Sequence, residues 1–305
     1  MRRWYYVLCI ALMLFLGTEA YSQNTFMVMS VKGKVEYKTK KGNWKPVKVG
    51  QELDAKDVLK TSFASYVKLM MDSKRLVGID ENTSKKLAEF GGSRSSGKGD
   101  AAGAILSYAA DQMKQAKKSK GLTEYGAVRG NYEVFNATFP KYAVMTTKPD
   151  FRIVDAEEGD NYEIHILNGD FDTIAKTNVS KDAFTYPDSM PEIVPGQEYY
   201  WKVTRLTDGA TSDIQRFNVL REDSIQMIAD EVKMLNEELD AMGADDVMMH
   251  LIRGVYYEKK KLFYNAYVEY KETIRLAPEV DEYREMMANM LATLSLYNEQ
   301  EFLMR

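Results

Sequence analysis

Short apolar runs broken by glycine and polar turns fill residues 26–80, and a chain patterned that way can bury itself only by pairing strands. The marks are Val31, Gly33 and Val35, then Trp44, Gly50 and Leu53, then Thr61, Val67 and Leu69, then Leu76 and Ile79. Runs at 26–31, 33–39, 58–61, 65–71 and 76–80 are rich in Val, Tyr, Leu and Met and end at Gly, Asp, Asn or Ser, as strands do. In Lys34-Val35-Glu36-Tyr37-Lys38, alternation sends Val35 and Tyr37 to one face and the charges to the other. Trp44 is expected to pack beneath a turn at 41–43, and Gly50 to bend the chain before Leu53. The pattern returns at Ala127-Val128-Arg129-Gly130. Residues 23–135 are therefore expected to form an all-β domain split by an insert at 91–122.

The insert has two parts. Gly91-Gly92-Ser93-Arg94-Ser95-Ser96-Gly97-Lys98-Gly99 has the composition of a flexible linker. Residues 101–118 have helical propensity, with Ala102, Ile105, Ala109, Met113 and Ala116 along one side. So narrow a stripe predicts a marginal helix resting on its own domain, the alternative being a helix that docks on a partner. Lys114, Lys117, Lys118 and Lys120 form a basic tip, and with Arg129 they are the candidate contacts for an anionic partner. Without interleaved aromatic residues the tip does not read as nucleic-acid binding. Anionic glycans, lipid headgroups or a solvated helix end remain.

Gly33, Val35, Trp44, Gly50, Leu53, Asp57, Thr61, Val67 and Leu69, with Val128-Arg129-Gly130 as a late strand, resemble the FecR domain over residues 25–135. The resemblance implies a small β domain of exported or membrane-bound bacterial proteins. Founding members of that family sense an outer-membrane iron transporter and signal to an inner-membrane anti-sigma partner. Without a cytoplasmic segment or a transmembrane helix of its own, a sensor of this kind would act from the periplasm through a separate membrane protein.

Residues 1–22 read as a secretory signal peptide: Arg2 and Arg3, an apolar run over 5–17, then small residues at Thr18 and Ala20, with a cut after Ala20 or Ser22. The run is shorter than the roughly 20 residues of a spanning helix, and no later segment replaces it. The expected location is the periplasm or cell surface of a Gram-negative bacterium, with no transmembrane span once the leader is removed. The single cysteine, Cys9, lies in the leader, which leaves the expected mature chain without disulfides or thiolate chemistry. Charge is segregated along the chain. Residues 31–130 hold 21 Lys and Arg against 11 Asp and Glu, a net +10, and residues 131–305 hold 18 against 33, a net −15. Such asymmetry docks one part on the other or turns the basic part toward an anionic partner.

Residues 140–220 are acidic, with strand patterns at 151–154, 162–167, 171–176, 183–186, 198–206 and 214–219. Asn168-Gly169, Pro195-Gly196 and Asp208-Gly209 mark turns between them. A two-sheet sandwich is expected. Its Tyr199-x-Trp201-x-Val203 strand resembles the late strand of an immunoglobulin-like or fibronectin type III domain, which implies an architecture and no activity. Asp155, Glu157, Glu158, Asp160, Asp170 and Asp172 follow no calcium-loop spacing, so they read as solvated turn acids.

From 221 to 305 the period is helical. Ile225, Ile228, Val232 and Leu235 form a stripe, Gly243 breaks it, and helices follow at 246–259, 265–276 and 281–297. Gly254, Tyr257, Ala266, Tyr270 and Pro278 resemble one tetratricopeptide repeat over 247–280, with His250, Arg253 and Thr273 departing from its pattern. The resemblance implies that Met248, Leu251, Val255, Glu258 and Lys259 form an inner face that grips a peptide. The alternatives are a stability cap or a dimer surface.

Only two histidines, His165 and His250, are present, and there is no Gly-x-Ser-x-Gly elbow, phosphate loop or dinucleotide fingerprint. No enzyme, cofactor or metal site is expected. The fold expected is multidomain: an all-β FecR-like domain, a β-sandwich, and a short α-helical TPR-like array. The function expected is that of a cell-envelope adaptor, with the helical end holding a protein partner and the basic domain an anionic one. A periplasmic sensor of a transport or sigma/anti-sigma system and a cell-wall glycan-binding protein are the alternatives.

Overall fold

The computed structural model describes residues 25–72, 75–90, 100–119, 136–154, 159–180 and 183–303. Among them several β-sheets and five α-helices form a mixed, multidomain fold. The signal peptide and the Val128-Arg129-Gly130 strand lie outside the described residues.

The first unit holds β1 (Thr25–Lys32), β2 (Val35–Lys38), β3 (Lys45–Pro46), β4 (Glu52–Asp54), β5 (Val58–Thr61), β6 (Tyr66–Met71), β7 (Arg75–Ile79) and β8 (Ser84–Lys86). They form two antiparallel sheets, β4-β1-β6-β7 and β3-β2-β5-β8. Phe26, Val28, Val35, Leu53, Leu59, Val67, Leu69 and Ile79 make one core. Met27 and Met29 belong instead to a second core shared with the helices, together with Met70 and Leu76. Because both faces of β1 are covered, its sequence is an unbroken apolar run rather than an alternating one. Gly33 turns from β1 to β2 at φ +71°, where a Cβ would lie 2.4 Å from Ser65 Oγ. Gly50 also has positive φ, as a bend there requires. Trp44 departs from expectation: it does not pack under a turn but stands 39% exposed, with the ammonium groups of Lys38 and Lys60 over its ring.

The second unit holds β9 (Asn136–Phe139), β10 (Tyr142–Val144), β11 (Asp150–Val154), β12 (Tyr162–Leu167), β13 (Thr173–Val179), β14 (Ala183–Thr185), β15 (Glu198–Arg205) and β16 (Gln215–Val219). A five-stranded sheet, β10-β16-β15-β12-β13, is joined by a three-stranded one, β14-β11-β9. Every pairing is antiparallel except β10 with β16. Phe151 of the small sheet meets Trp201 edge-on at 4.9 Å and Phe217 at 6.0 Å, which seats one sheet on the other. β13 starts two residues later than the alternation predicts. The side chain of Asn168 accepts the backbone N–H groups of Asp170 and Asp172, so the turn runs on to Asp172 with Phe171 at φ +65°.

The helices are α1 (Asp100–Ser119), α2 (Glu222–Ala241), α3 (Asp246–Lys259), α4 (Phe263–Leu276) and α5 (Asp281–Leu303). α3 and α4 can touch because residue 254 is glycine: a Cβ there would lie 2.8 Å from the Tyr270 ring. α1 does not rest on the first unit alone. It packs on α5 and α3 and touches α2. Leu106 and Ala110 widen the expected stripe, and with Ala102, Ala109, Met113 and Ala116 they are fully buried. The small residues let α1 approach its neighbours closely. None of the described helices is long and apolar enough to cross a membrane.

Specific bonds fix the helices to both β units. A β-bulge at Met29 breaks the β1–β6 register, and the Met29 carbonyl accepts the Tyr283 hydroxyl at 2.7 Å. Asp245 caps α3 by accepting the Met248 N–H at 2.9 Å, and it also accepts from Ser30 Oγ at 3.1 Å. On the other side, Phe139 packs against Tyr264 and Tyr267 of α4, and the Asp150 N–H donates to the Tyr264 hydroxyl.

Tyr66 of β6 is hydrogen-bonded to Asp245 as well, and burial together with the Asp245 charge pushes its phenol up to about 12. A raised phenol stabilises the fold fully below the ordinary value near 10, and that contribution is lost as pH rises from 10 to 12. Asp245→Ala, which strands three donors, is expected to cost about 2 kcal/mol. Asp245→Asn should bring the Tyr66 titration down toward 10. Carbon NMR of labelled tyrosine, with Tyr66→Phe for assignment, checks this; an unmoved titration refutes the joint.

Candidate functional site

The face expected to grip a peptide is closed. Met248, Leu251 and Val255 are fully buried, in the same core as the apolar stripe of α1. The insert helix covers the array that a peptide would otherwise enter. Only the two polar members of that face reach its edge. The Glu258 carboxylate accepts the Tyr270 hydroxyl at 2.6 Å, and burial pushes it above the usual carboxylate range, against the opposing pull of Tyr270 and Lys261. Lys259 is exposed, with its ammonium 5.9 Å from the centre of the Tyr108 ring on α1. Burial and the nearby Glu258 raise the Tyr108 phenol in turn. At the other end of α1, Glu238 of α2 accepts the Ala102 N–H at 3.0 Å.

The basic tip is divided. Lys114 pairs with Glu52 at 2.8 Å and ties α1 to the first unit. Lys117 and Lys118 are exposed in the last turn of α1. Lys120 and Arg129 lie outside the described residues.

The three departures from the repeat pattern meet around one residue, Glu269: two at its carboxylate and one at its backbone carbonyl. His250 Nδ1 lies 2.7 Å from Glu269 Oε2 and Arg253 Nε 3.1 Å from the same oxygen, while Thr273 Oγ1 donates to the Glu269 carbonyl at 2.9 Å. Where the repeat pattern has apolar contacts, α3 and α4 are joined here by a charged set. Of the acidic turns, Asp160 accepts the Thr207 hydroxyl at 2.8 Å and lies 3.9 Å from Arg205, so its charge is used within the fold. No group of three or more metal-binding side chains occurs among the described residues. Asp155, Glu157 and Glu158 lie outside them.

Sequence reasoning missed two surfaces. On the outer side of α2, Met227 and Met234 are each 57% exposed, two turns apart, with Asp230 and Glu237 between and beyond them. On the first unit, Trp44 stands among lysines from neighbouring strands. The signal for the second was the density of lysine around one aromatic residue, in Lys38-Thr39-Lys40-Lys41-Gly42-Asn43-Trp44-Lys45.

No family model matches the chain, and no curated protein does. Among solved structures, dimeric latent PorU from Porphyromonas gingivalis is similar over 68% of this chain and 17% of its own, at 10% identity and a TM-score of 0.25. A β-glucuronidase from Faecalibacterium prausnitzii is similar over 66% of this chain and 35% of its own, at 13% identity and a TM-score of 0.19. This chain spans well under half the length of either, and likenesses so loose carry neither fold nor activity across.

Proposed function

We propose that this protein is an exported, non-enzymatic adaptor of the bacterial cell envelope, which holds a protein partner with its helical layer and an anionic envelope component with its basic β unit. The observation that carries the reading is the stitching of the helices to both β units, through Tyr283–Met29 and Asp245–Ser30 on one side and Tyr264–Asp150 on the other. A basic and an acidic unit are thereby held on one frame, and two surfaces of opposite charge can be occupied together. The finer identities follow the same reading. The first unit is FecR-like, the second is an immunoglobulin or fibronectin III-like sandwich, and α3 with α4 is one TPR-like pair. The parallel β10–β16 pairing within an otherwise antiparallel two-sheet unit supports the second, and the close approach at Gly254 supports the third.

With Met248, Leu251 and Val255 covered by α1, the protein contact falls to the outer face of α2. Exposed Met227 and Met234 supply an adaptable apolar surface, and Asp230 and Glu237 give it negative charge. Its complement is a basic amphipathic segment of an envelope protein. Chemical crosslinking and affinity capture from intact envelopes test this. The Met227→Lys/Met234→Lys variant is expected to lose a defined partner while keeping its unfolding midpoint. An unchanged partner set overturns the assignment of α2.

A further inference from the structure

We propose that the outward face of the β3-β2-β5-β8 sheet is a binding site for an acidic polysaccharide, with Trp44 as the stacking platform and Lys38, Lys60 and Lys86 as arms that pair with its carboxylates. The inference rests on the reading of the basic unit as the part that meets an anionic envelope component, and it names the site and the ligand class.

Strand register builds the face. Val35 of β2 and Leu59 and Thr61 of β5 are buried, with Tyr37 packed against their core, so Glu36, Lys38, Val58 and Lys60 project the other way. The pairing sets Lys38 opposite Val58, Val58 opposite Lys86, and Glu36 opposite Lys60. Lys38 and Lys86 thus flank Val58 in one row across three strands, about 10 Å apart at the backbone, and Lys60 stands about 7 Å further along β5. Trp44 precedes β3 on the far side of β2, and its ring centre is 5.5 Å from Lys38 Nζ and 5.9 Å from Lys60 Nζ.

Neither Lys38, Lys60 nor Lys86 forms an ion pair among the described residues. Glu36 is the cross-strand neighbour of Lys60, but its ion pair is with Lys34, at 3.6 Å. Trp44 is 39% exposed, so the part of its indole that Lys38 and Lys60 leave uncovered is open to the apolar side of a sugar ring, and the two ammonium groups over the ring meet charges carried on that sugar or the next. A lysine cluster also attracts an anionic lipid surface, and titration with vesicles separates that occupant from the polysaccharide.

Trp44 is also a natural reporter. The chain has three tryptophans: Trp4 is in the expected leader, and Trp201 is fully buried. Full-length protein is titrated with polygalacturonate, with dextran, and with vesicles of phosphatidylglycerol or phosphatidylcholine, while indole emission is followed at low salt and at 1 M salt. Polygalacturonate is expected to shift the emission and to release at 1 M salt, where the screening length falls to about 3 Å; dextran and both vesicles leave it unchanged. Trp44→Ala and Lys60→Glu, read by calorimetry, are each expected to weaken binding by about tenfold or more. Lys60 is exposed, so Lys60→Glu should leave thermal unfolding unmoved, and it is the variant that separates binding from folding. The site is overturned if polygalacturonate does not bind, or if both variants bind as the wild type does. Preferential binding to phosphatidylglycerol that depends on the same residues overturns the ligand class. Retained polygalacturonate binding in a protein that captures no envelope partner counts against the adaptor and leaves this site standing; the reverse result removes this site alone.

Discussion

Replacing Trp201 with alanine is expected to cost about 3–5 kcal/mol, a large share of the 5–15 kcal/mol that holds a typical domain together. Three effects add at this position. Trp201 has no exposed surface, so truncation leaves a cavity between the two sheets of the second unit. Its ring meets Phe151 edge-on at 4.9 Å, and that contact is lost. Its Nε1–H donates to the Pro140 carbonyl at 2.8 Å, and the carbonyl is left buried without that partner. Trp201→Phe keeps most of the volume, loses the hydrogen bond and leaves a smaller cavity, so its cost should be about 2 kcal/mol. Urea unfolding followed by circular dichroism separates the two. A Trp201→Ala cost below about 1 kcal/mol would mean that β11 and β15 do not face each other across one core.

How much of this fold the sequence carries depends on the length of each element. β11, β12, β15 and β16 are legible because each alternates over five or more residues between clear turns. β3, β4 and β8 have two or three residues, too few to show any period. β9 and β10 lie close to the insert and are separated by Pro140 as the chain passes from one sheet to the other. The helix at 246–259 announces itself by the break at Gly243 and the next by the stop at Pro278, although the second begins at Phe263, two residues before the pattern predicts.

Contacts between distant elements leave a weaker trace. Periodicity tells which side of a helix is apolar but not what covers it, and for that reason α1 reads as resting on its own domain. The same limit applies to Met248, Leu251 and Val255, whose apolar character suits a peptide groove and a core contact with α1 equally well. Trp44 was misread for the opposite reason. An aromatic residue beside a turn usually packs inward, and only the cross-strand register brings Lys38 and Lys60 together at its ring. No local pattern encodes that register, because the two lysines come from different strands.

The role of α1 leads to the second large effect. Ala109 is fully buried in the core that α1 shares with the other helices, so Ala109→Asp must take a carboxylate out of water with no partner provided for it. The cost expected is about 3 kcal/mol or more, well above the few tenths of a kcal/mol that helix propensity alone would charge. Ala104→Asp is the matched control. It lies on the exposed side of the same helix, near the N-terminus where a negative charge suits the dipole, and should stay within about 0.5 kcal/mol of wild type. Hydrogen exchange then distinguishes two ways of failing. If α1 is an integral layer, amides of α3 and α5 lose protection together with those of β1, because Met27 and Met29 are in the same core. If α1 is a separable cover, protection is lost on α1 alone, and Met248, Leu251 and Val255 become the open peptide face that a TPR-like pair implies. Equal stability of the Ala109→Asp and Ala104→Asp proteins would refute the burial of α1 altogether.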